Sequence, residues 1–389
     1  MRGEQWISDS LNELRSADLQ RTLVAYPQAG GRIRIDGWDY LNFSSNDYLD
    51  LSRNPELISR SSDELHSLGT SATASRLMAG SLDVHGELES RLSEWKGYEC
   101  ALLFGSGYLA NIGLITSLVG REDSLFVDKL AHASIIDGAR LSRASVHRFR
   151  HNDASHLKQS LERAAGRGRQ LIVTESVFSM DGDIAPLKDL TTVAADHGAL
   201  IMIDEAHASG VFGPNGAGLI KELCLADTVN LSMATLGKAL AGYGGLVACS
   251  KAMRDLIVNR ARPFIFTTAL PPAAIGSAMA ALDVLLRTPS LGRDLLENAA
   301  FFRSALHQAG LDTGPSQSQI VPIMLHDNRL ALDLAAALRE QGIIANAIRE
   351  PAVPSGTARL RLSVTLAHTK EDLATTADVI AGTVGKLRS

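Results

Sequence analysis

The stretch ATLGKALAGYGG, from Ala234 to Gly245, holds one charged side chain, Lys238, among small, apolar and hydroxyl residues. An amine that attacks a carbonyl has to be uncharged part of the time, and dry, apolar surroundings favour that form by penalising the ammonium. Three further patterns hold chemistry. FGSGYLA, Phe104 to Ala110, follows a strand-like run and opens a helix-like one, so backbone N–H groups near Gly107 and Tyr108 can approach a phosphate. DEAH, Asp204 to His207, ends an apolar run in a carboxylate with an imidazole three residues on, and DKLAHAS, Asp128 to Ser134, sets His132 just beyond another such run.

Each pattern has a rival reading. DEAH occurs in nucleotide-hydrolysing helicases, but that reading needs a phosphate loop of the form GxxxxGK followed by Ser or Thr; here Ser232 stands at the first glycine position and Ala239 follows Lys238. Asp204 and His207 are not accompanied by HExxH or another dense ligand cluster, so no metal is expected. FGSGYLA alone fits a dinucleotide, which makes an NAD-dependent dehydrogenase the different-cofactor alternative, yet it leaves Lys238, Asp204 and His132 unexplained. Together the four patterns match the needs of pyridoxal 5'-phosphate (PLP): an imine-forming lysine, an acid that keeps the ring nitrogen protonated, an imidazole that can stack or hydrogen-bond, and donors for the phosphate.

The fold must bring these residues together. From Cys100 onward the runs CALLF, SLFVD, SVHRF, QLIVTES, ALIMID, TVNLSMAT and GLVACS alternate with turns or amphipathic stretches, the rhythm of an α/β fold with a mostly parallel central sheet and helices on both faces. Such sheets place ligands outside the carboxyl ends of their strands, so the tips after CALLF, SLFVD, QLIVTES, ALIMID and TVNLSMAT are expected to converge on one crevice. Residues 1–45 read as an N-terminal segment, 46–279 as a large cofactor-binding α/β domain, and 280–389 as a smaller α+β domain with QIVPIML and RLRLSVT as strands. The formal net charge of -5 gives no electrostatic reason to expect a nucleic-acid or membrane partner. Three cysteines, odd in number and without a CxxC pair, argue against a disulfide scaffold or zinc site, and MRGEQWISDSLNEL lacks a basic segment followed by an apolar run; a soluble cytoplasmic protein is expected.

LNFSSNDYL at Leu41 to Leu49, the SGYLAN turn, LAHASIIDGARLS, HND at His151 to Asp153, TESVFSMDGDIAPL at Thr174 to Leu187, DEAHASGVFG, TLGKA and GTARLRLSVTLAH at Gly356 to His368 occur in this order. In them the chain resembles the α-oxoamine synthases, a family of fold-type-I PLP-dependent transferases, over nearly its whole length. The resemblance implies that Lys238 carries the cofactor and then acts as acid and base at the substrate's α-carbon. It implies that Asp204 pairs with the ring nitrogen, His132 stacks on the ring, and His207 hydrogen-bonds near the ring oxygen. Gly107, Tyr108, Ser179 and Thr235 are implied as further cofactor contacts. Arg361 is implied to hold the amino-acid carboxylate, and Arg21, with His132, to meet the substrates; Ala352 stands where close relatives have a substrate-contacting threonine. A homodimer with the active site at its interface is also implied, with Thr267 or Thr268 reaching the partner's cofactor phosphate.

Within the family, AIREPAVPSGTARLRLSVTLAH is most similar to the members that condense L-alanine with a pimeloyl thioester, on CoA or a carrier protein, in biotin biosynthesis. Glycine or serine with another acyl-CoA, as in a 2-amino-3-oxobutyrate CoA ligase, is the alternative. A catalytically silent binding subunit is opposed by the presence of both Lys238 and Asp204. Asp50 and Ala241 replace glycines usual in the family; Asp is among the residues that tolerate a left-handed backbone, so the turn at Asp50 is expected to survive.

Overall fold

The computed structural model describes residues 4–164, 166 and 168–388. They divide into two compact units, one of residues 46–179 and 183–297, the other of residues 1–45, 180–182 and 298–389.

All seven β-rich runs are strands of one sheet in the larger unit: β1 (Cys100–Phe104), β2 (Ser124–Asp128), β3 (Ser145–Phe149), β4 (Gln170–Glu175), β5 (Leu200–Asp204), β6 (Leu231–Thr235) and β7 (Gly245–Cys249). Their order across the sheet is β1-β7-β6-β5-β4-β2-β3. β7 runs antiparallel to both its neighbours and the other adjacent pairs are parallel, so six strands share one direction. Period-2 alternation buries both faces. Leu102, Phe104, Leu125, Val127, Leu171, Val173, Met202 and Met233 form one core with the helices Gly107–Leu118, Ala133–Ser142 and Lys251–Arg260. The intervening Leu103, Phe126, Ile172, Ile201, Ile203 and Leu246 point the other way and are equally buried.

The larger unit extends past Ala280 to Glu297, beyond the boundary expected at residue 280. The helix Pro272–Arg287 packs on the helix Pro55–Leu68 of the same unit, where Ser61 Oγ donates to the Ala273 carbonyl at 2.8 Å. Gly276 permits this approach, because a Cβ there would lie 2.6 Å from the Arg60 carbonyl oxygen. The division at 297 falls inside the helix Leu291–Gln308, where no turn or glycine marks it.

The smaller unit joins residues 1–45 to the C-terminal residues instead of leaving them as a separate segment. Arg32–Ile35, Trp38–Asn42 and Ile343–Ile344 make one three-stranded sheet; Ile320–Met324, Arg359–Ser363 and Asn346–Ile348 make an antiparallel one with Arg359–Ser363 in the middle. In this unit Phe43 stacks on Phe302 at 5.4 Å and on His368 at 4.2 Å between ring centroids. His368 is 1% exposed, with Nδ1 accepting from the Thr365 N–H and Nε2 facing the Gly31 carbonyl. Burial pushes its imidazole down to about 4.

A histidine depressed in the folded state protonates more readily in the unfolded chain. Its stabilising contribution is therefore complete above the ordinary value of 6.5 and is lost as pH falls toward about 4. Lowering the pH from about 7 to about 5 is expected to remove about 2 kcal/mol of stability through this one group. Urea unfolding of wild type and His368→Gln at both pH values measures it, and the acid-induced loss should be smaller by that amount in the variant.

Candidate active site

Because β1, β2, β4, β5 and β6 run the same way, the residues after them emerge at one edge of the sheet. Asp204 ends β5 with its side chain buried. A buried carboxylate must be hydrogen-bonded, and this one is: Oδ1 accepts from the Ala206 N–H at 2.8 Å and Oδ2 from Asn111 Nδ2 at 2.9 Å. Asn111 lies one turn along the helix opened by Gly107, and its amide also donates to Ser134 Oγ at 2.8 Å. Ser134 completes the chain to His132, whose Nδ1 accepts from the Ser134 N–H at 3.2 Å and lies 2.7 Å from Ser134 Oγ. A backbone N–H can only donate, so Nδ1 carries the lone pair and Nε2 the proton. His132 is exposed, as a residue that offers a stacking surface must be. The protein packed around the rest pushes the imidazole below its ordinary value, with Asp204 opposing and Lys238 reinforcing that shift.

Glu175 ends β4 directly opposite Asp204 in the strand register. Its Oε1 accepts the backbone N–H of His132 at 2.6 Å. Burial, with the Asp204 charge adding to it, pushes the Glu175 carboxyl well above the usual carboxylate range. No role for Glu175 is expected from the sequence, although its place at the tip of an apolar run is the same signal that singles out Asp204.

Lys238 follows β6 in a tight turn closed by Ala241 N–H to the Lys238 carbonyl and Gly242 N–H to the Leu236 carbonyl, both at 2.8 Å. Ala241 adopts φ +49° there, and Asp50 adopts φ +55°, so both turns form without glycine. Lys238 Nζ lies 2.9 Å from His207 Nε2, and His207 Nδ1 lies 2.7 Å from the buried Tyr48 hydroxyl. With the Tyr48 proton on Asn46 Oδ1, the phenol oxygen accepts from Nδ1–H and the Nε2 lone pair faces the lysine amine. Tyr48 and Asn111 are missed by sequence reasoning because their partners are distant in the chain.

Gly107 sits beside Thr235: a Cβ on Gly107 would lie 3.5 Å from Thr235 Cβ. Thr235 Oγ1 donates to the Gly244 carbonyl and accepts from the Gly237 N–H. The start of β7 presses on the same helix start, since a Cβ at Gly245 would meet Gly107 N at 2.7 Å. Tyr108 is exposed, with its hydroxyl on Asp137. Ser179 is half-buried in the loop after β4. Thr267 and Thr268 lie in the larger unit, and the other expected residues belong to the smaller one. Arg361 is buried in Arg359–Ser363, its Nη1 donating to Ser363 Oγ at 2.9 Å, while Arg21 Nη2 donates at 2.9 Å to the Glu350 carbonyl, two residues from the exposed Ala352.

The second residue of DEAH turns away from this edge. Glu205 is fully buried and pairs with the equally buried Lys96 at 2.8 Å; Lys96 also donates to Ser209 Oγ and the Ala217 carbonyl, and Glu205 accepts from Ile220 N–H and Ser232 Oγ. Removing one member strands the other charge. Lys96→Met is expected to lower stability by about 3–5 kcal/mol, and combining it with Glu205→Gln to recover most of that loss, as read by urea denaturation.

Among the described residues no group of three or more His, Cys, Asp or Glu could hold a metal ion, and no helix is long and apolar enough to cross a membrane. The donor set fits PLP instead: a primary amine beside an imidazole, a buried and pre-oriented carboxylate, an exposed histidine, and a helix start free of side-chain bulk at Gly107.

Comparison with known proteins agrees. Residues 39–380 match the family described as Aminotransferase class I and II. Over 364 residues the chain is 46% identical to the 8-amino-7-oxononanoate synthase of Anaeromyxobacter dehalogenans, covering 93% of this chain and 91% of that one. Among solved structures it matches SPT with PLP internal aldimine at a TM-score of 0.92 and 31% identity, covering 99% of this chain and 98% of that one. It also matches the 8-amino-7-oxononanoate synthase from Francisella tularensis at a TM-score of 0.77 and 30% identity, covering 90% and 99% of the two chains. The chain therefore belongs to the class I and II aminotransferase family, has the fold of the fold-type-I PLP-dependent transferases, and stands within that family among relatives named 8-amino-7-oxononanoate synthase.

Proposed function

We propose that this protein condenses L-alanine with a pimeloyl thioester to give 8-amino-7-oxononanoate, carbon dioxide and free thiol, the step that serves biotin biosynthesis. The observation that carries the reading is the Lys238 amine 2.9 Å from His207 Nε2 at the strand edge that also holds Asp204. The 46% identity to a named synthase supports the choice of reaction.

PLP bound here supplies an electron sink that stabilises negative charge at the amino acid's α-carbon. Lys238 would hold it, and His207 Nε2 is placed to take a proton from Nζ, leaving the amine neutral for attack and for proton transfer at the α-carbon. Asp204 would meet the ring nitrogen, and Asn111 and the Ala206 N–H hold its oxygens in place. Glu175 fixes the His132 backbone by accepting its N–H at Oε1. Gly107, Tyr108, Ser179 and Thr235 complete the cofactor contacts. Arg361 would hold the alanine carboxylate through two parallel hydrogen bonds, and Arg21 and the Ala352 turn would meet the acyl substrate. The active form is inferred to be a homodimer with the site at its interface.

The match to SPT at a TM-score of 0.92 favours a second reading, serine with a longer acyl thioester, on backbone shape alone. A panel of alanine, glycine and serine against acetyl-, succinyl-, pimeloyl- and palmitoyl-CoA separates the two. Alanine with pimeloyl-CoA is expected to have the highest specificity constant, with some glycine turnover, since one methyl discriminates by only about 1–3 kcal/mol. A different best pair would reject the substrate assignment and leave the cofactor chemistry standing.

Borohydride reduction followed by mass mapping is expected to fix the cofactor on Lys238. Asp204→Asn should bind PLP yet lose about a hundredfold or more in kcat, the usual consequence of removing an electrostatic partner of developing charge. Near-normal turnover would show that Asp204 does not face the ring.

A further inference from the structure

HND is the one motif of the chain whose residues the reaction has not used. His151 follows β3, and each of its ring nitrogens meets a carboxylate: Nδ1 lies 2.9 Å from Asp128 Oδ1 and Nε2 lies 2.8 Å from Asp183 Oδ2. The Asp128 side chain is fully buried and that of Asp183 is 7% exposed. Carboxylates only accept, so both nitrogens carry hydrogen and the ring is an imidazolium. Burial opposes the charge, but the hydrogen bonds and charges of Asp128 and Asp183 outweigh it and raise the imidazole to about 10. Asn152 reinforces the bridge, its N–H donating to Asp128 Oδ2 at 2.9 Å and its amide to Asp183 Oδ2 at 2.7 Å, and the Phe178 ring meets His151 edge-on at 4.4 Å.

The two carboxylates belong to the two loops that matter most at the sheet edge. Asp128 is the last residue of β2, and its Oδ1 and carbonyl accept from the N–H groups of Leu130 and Ala131, shaping the short segment that ends at His132. Asp183 closes the loop after β4: its carbonyl accepts from Phe178 N–H, and Val177 pairs with Ile184, with Ser179 between them.

We propose, building on the function given above, that His151 is a positioning residue for the condensation: as a charged bridge between Asp128 and Asp183 it fixes the His132 segment and the Ser179 loop relative to each other, and so sets how both meet the cofactor. It touches no reacting atom.

The first test needs no substrate. In holoenzyme labelled with 15N-histidine, both His151 nitrogens should show the protonated signature at about pH 8, above the ordinary histidine range; a bare nitrogen overturns the proposal. The signals are assigned by their loss in His151→Gln. In the His151→Gln holoenzyme, the visible circular dichroism of bound PLP should lose most of its intensity and kcat should fall about tenfold or more, with KM for pimeloyl-CoA nearly unchanged. A variant that is only less heat-stable, with wild-type dichroism and kcat, would show a purely structural role and overturn the proposal. If His151→Gln is insoluble, Asp183→Asn carries the same two readouts with the same expectations. If wild type does not condense alanine with pimeloyl-CoA, the function reading fails, and the nitrogen signals and dichroism still decide the role of His151.

Discussion

A carboxylate buried at the tip of β5 constrains everything around it. Asp204 has little access to water, so its charge has to be satisfied by protein, and the partners it takes decide the states of their own neighbours. Asn111 gives one amide hydrogen to Asp204 and the other to Ser134, and Ser134 fixes the His132 tautomer. Glu175, held opposite by the β4–β5 register, has its carboxyl pushed well above the usual carboxylate range by burial and by the Asp204 charge, and its Oε1 holds the His132 N–H. One buried charge thus orders a row of five side chains drawn from three strand tips and two helices.

The DEAH tetrad shows how four consecutive residues serve two ends. Asp204 and His207 meet the candidate active site, while Glu205, the residue after Asp204, enters a dry interior where Lys96 uses all three ammonium hydrogens. That interior network also holds the Ile220 N–H and the Ser232 hydroxyl of β6. The segment bearing His207 is therefore anchored from behind, and the lysine turn after β6 is built from a strand tied to the same carboxylate.

Much of this was legible in the sequence because it is local. Most strands of the large sheet are short apolar runs, and Gly107, His132, Ser179, Asp204, His207, Thr235 and Lys238 each lie within a few positions of a strand tip. What the sequence hides is non-local. Tyr48 meets His207 across 159 positions, Lys96 meets Glu205 across 109, and Asn111 meets Asp204 across 93. Nothing in the spacing of such residues announces the contact, which exists only once the sheet order places β1, β5 and β6 near one another. The unit boundary was hidden for a related reason: it lies within a continuous helix, where composition does not change.

His132 and His151 carry opposite states, and the difference follows from what each nitrogen faces. His132 accepts a backbone N–H, a donor that cannot be satisfied by an imidazolium nitrogen, and so stays neutral. His151 faces carboxylates on both sides and stays charged. A neutral His132 adds no positive charge to the edge that already holds the Lys238 amine. Asp128 and Asp183 neutralise the cation at His151 locally while using it as a tie. Charge is thus kept where it holds loops together and is absent from the imidazole that lies beside Asp204.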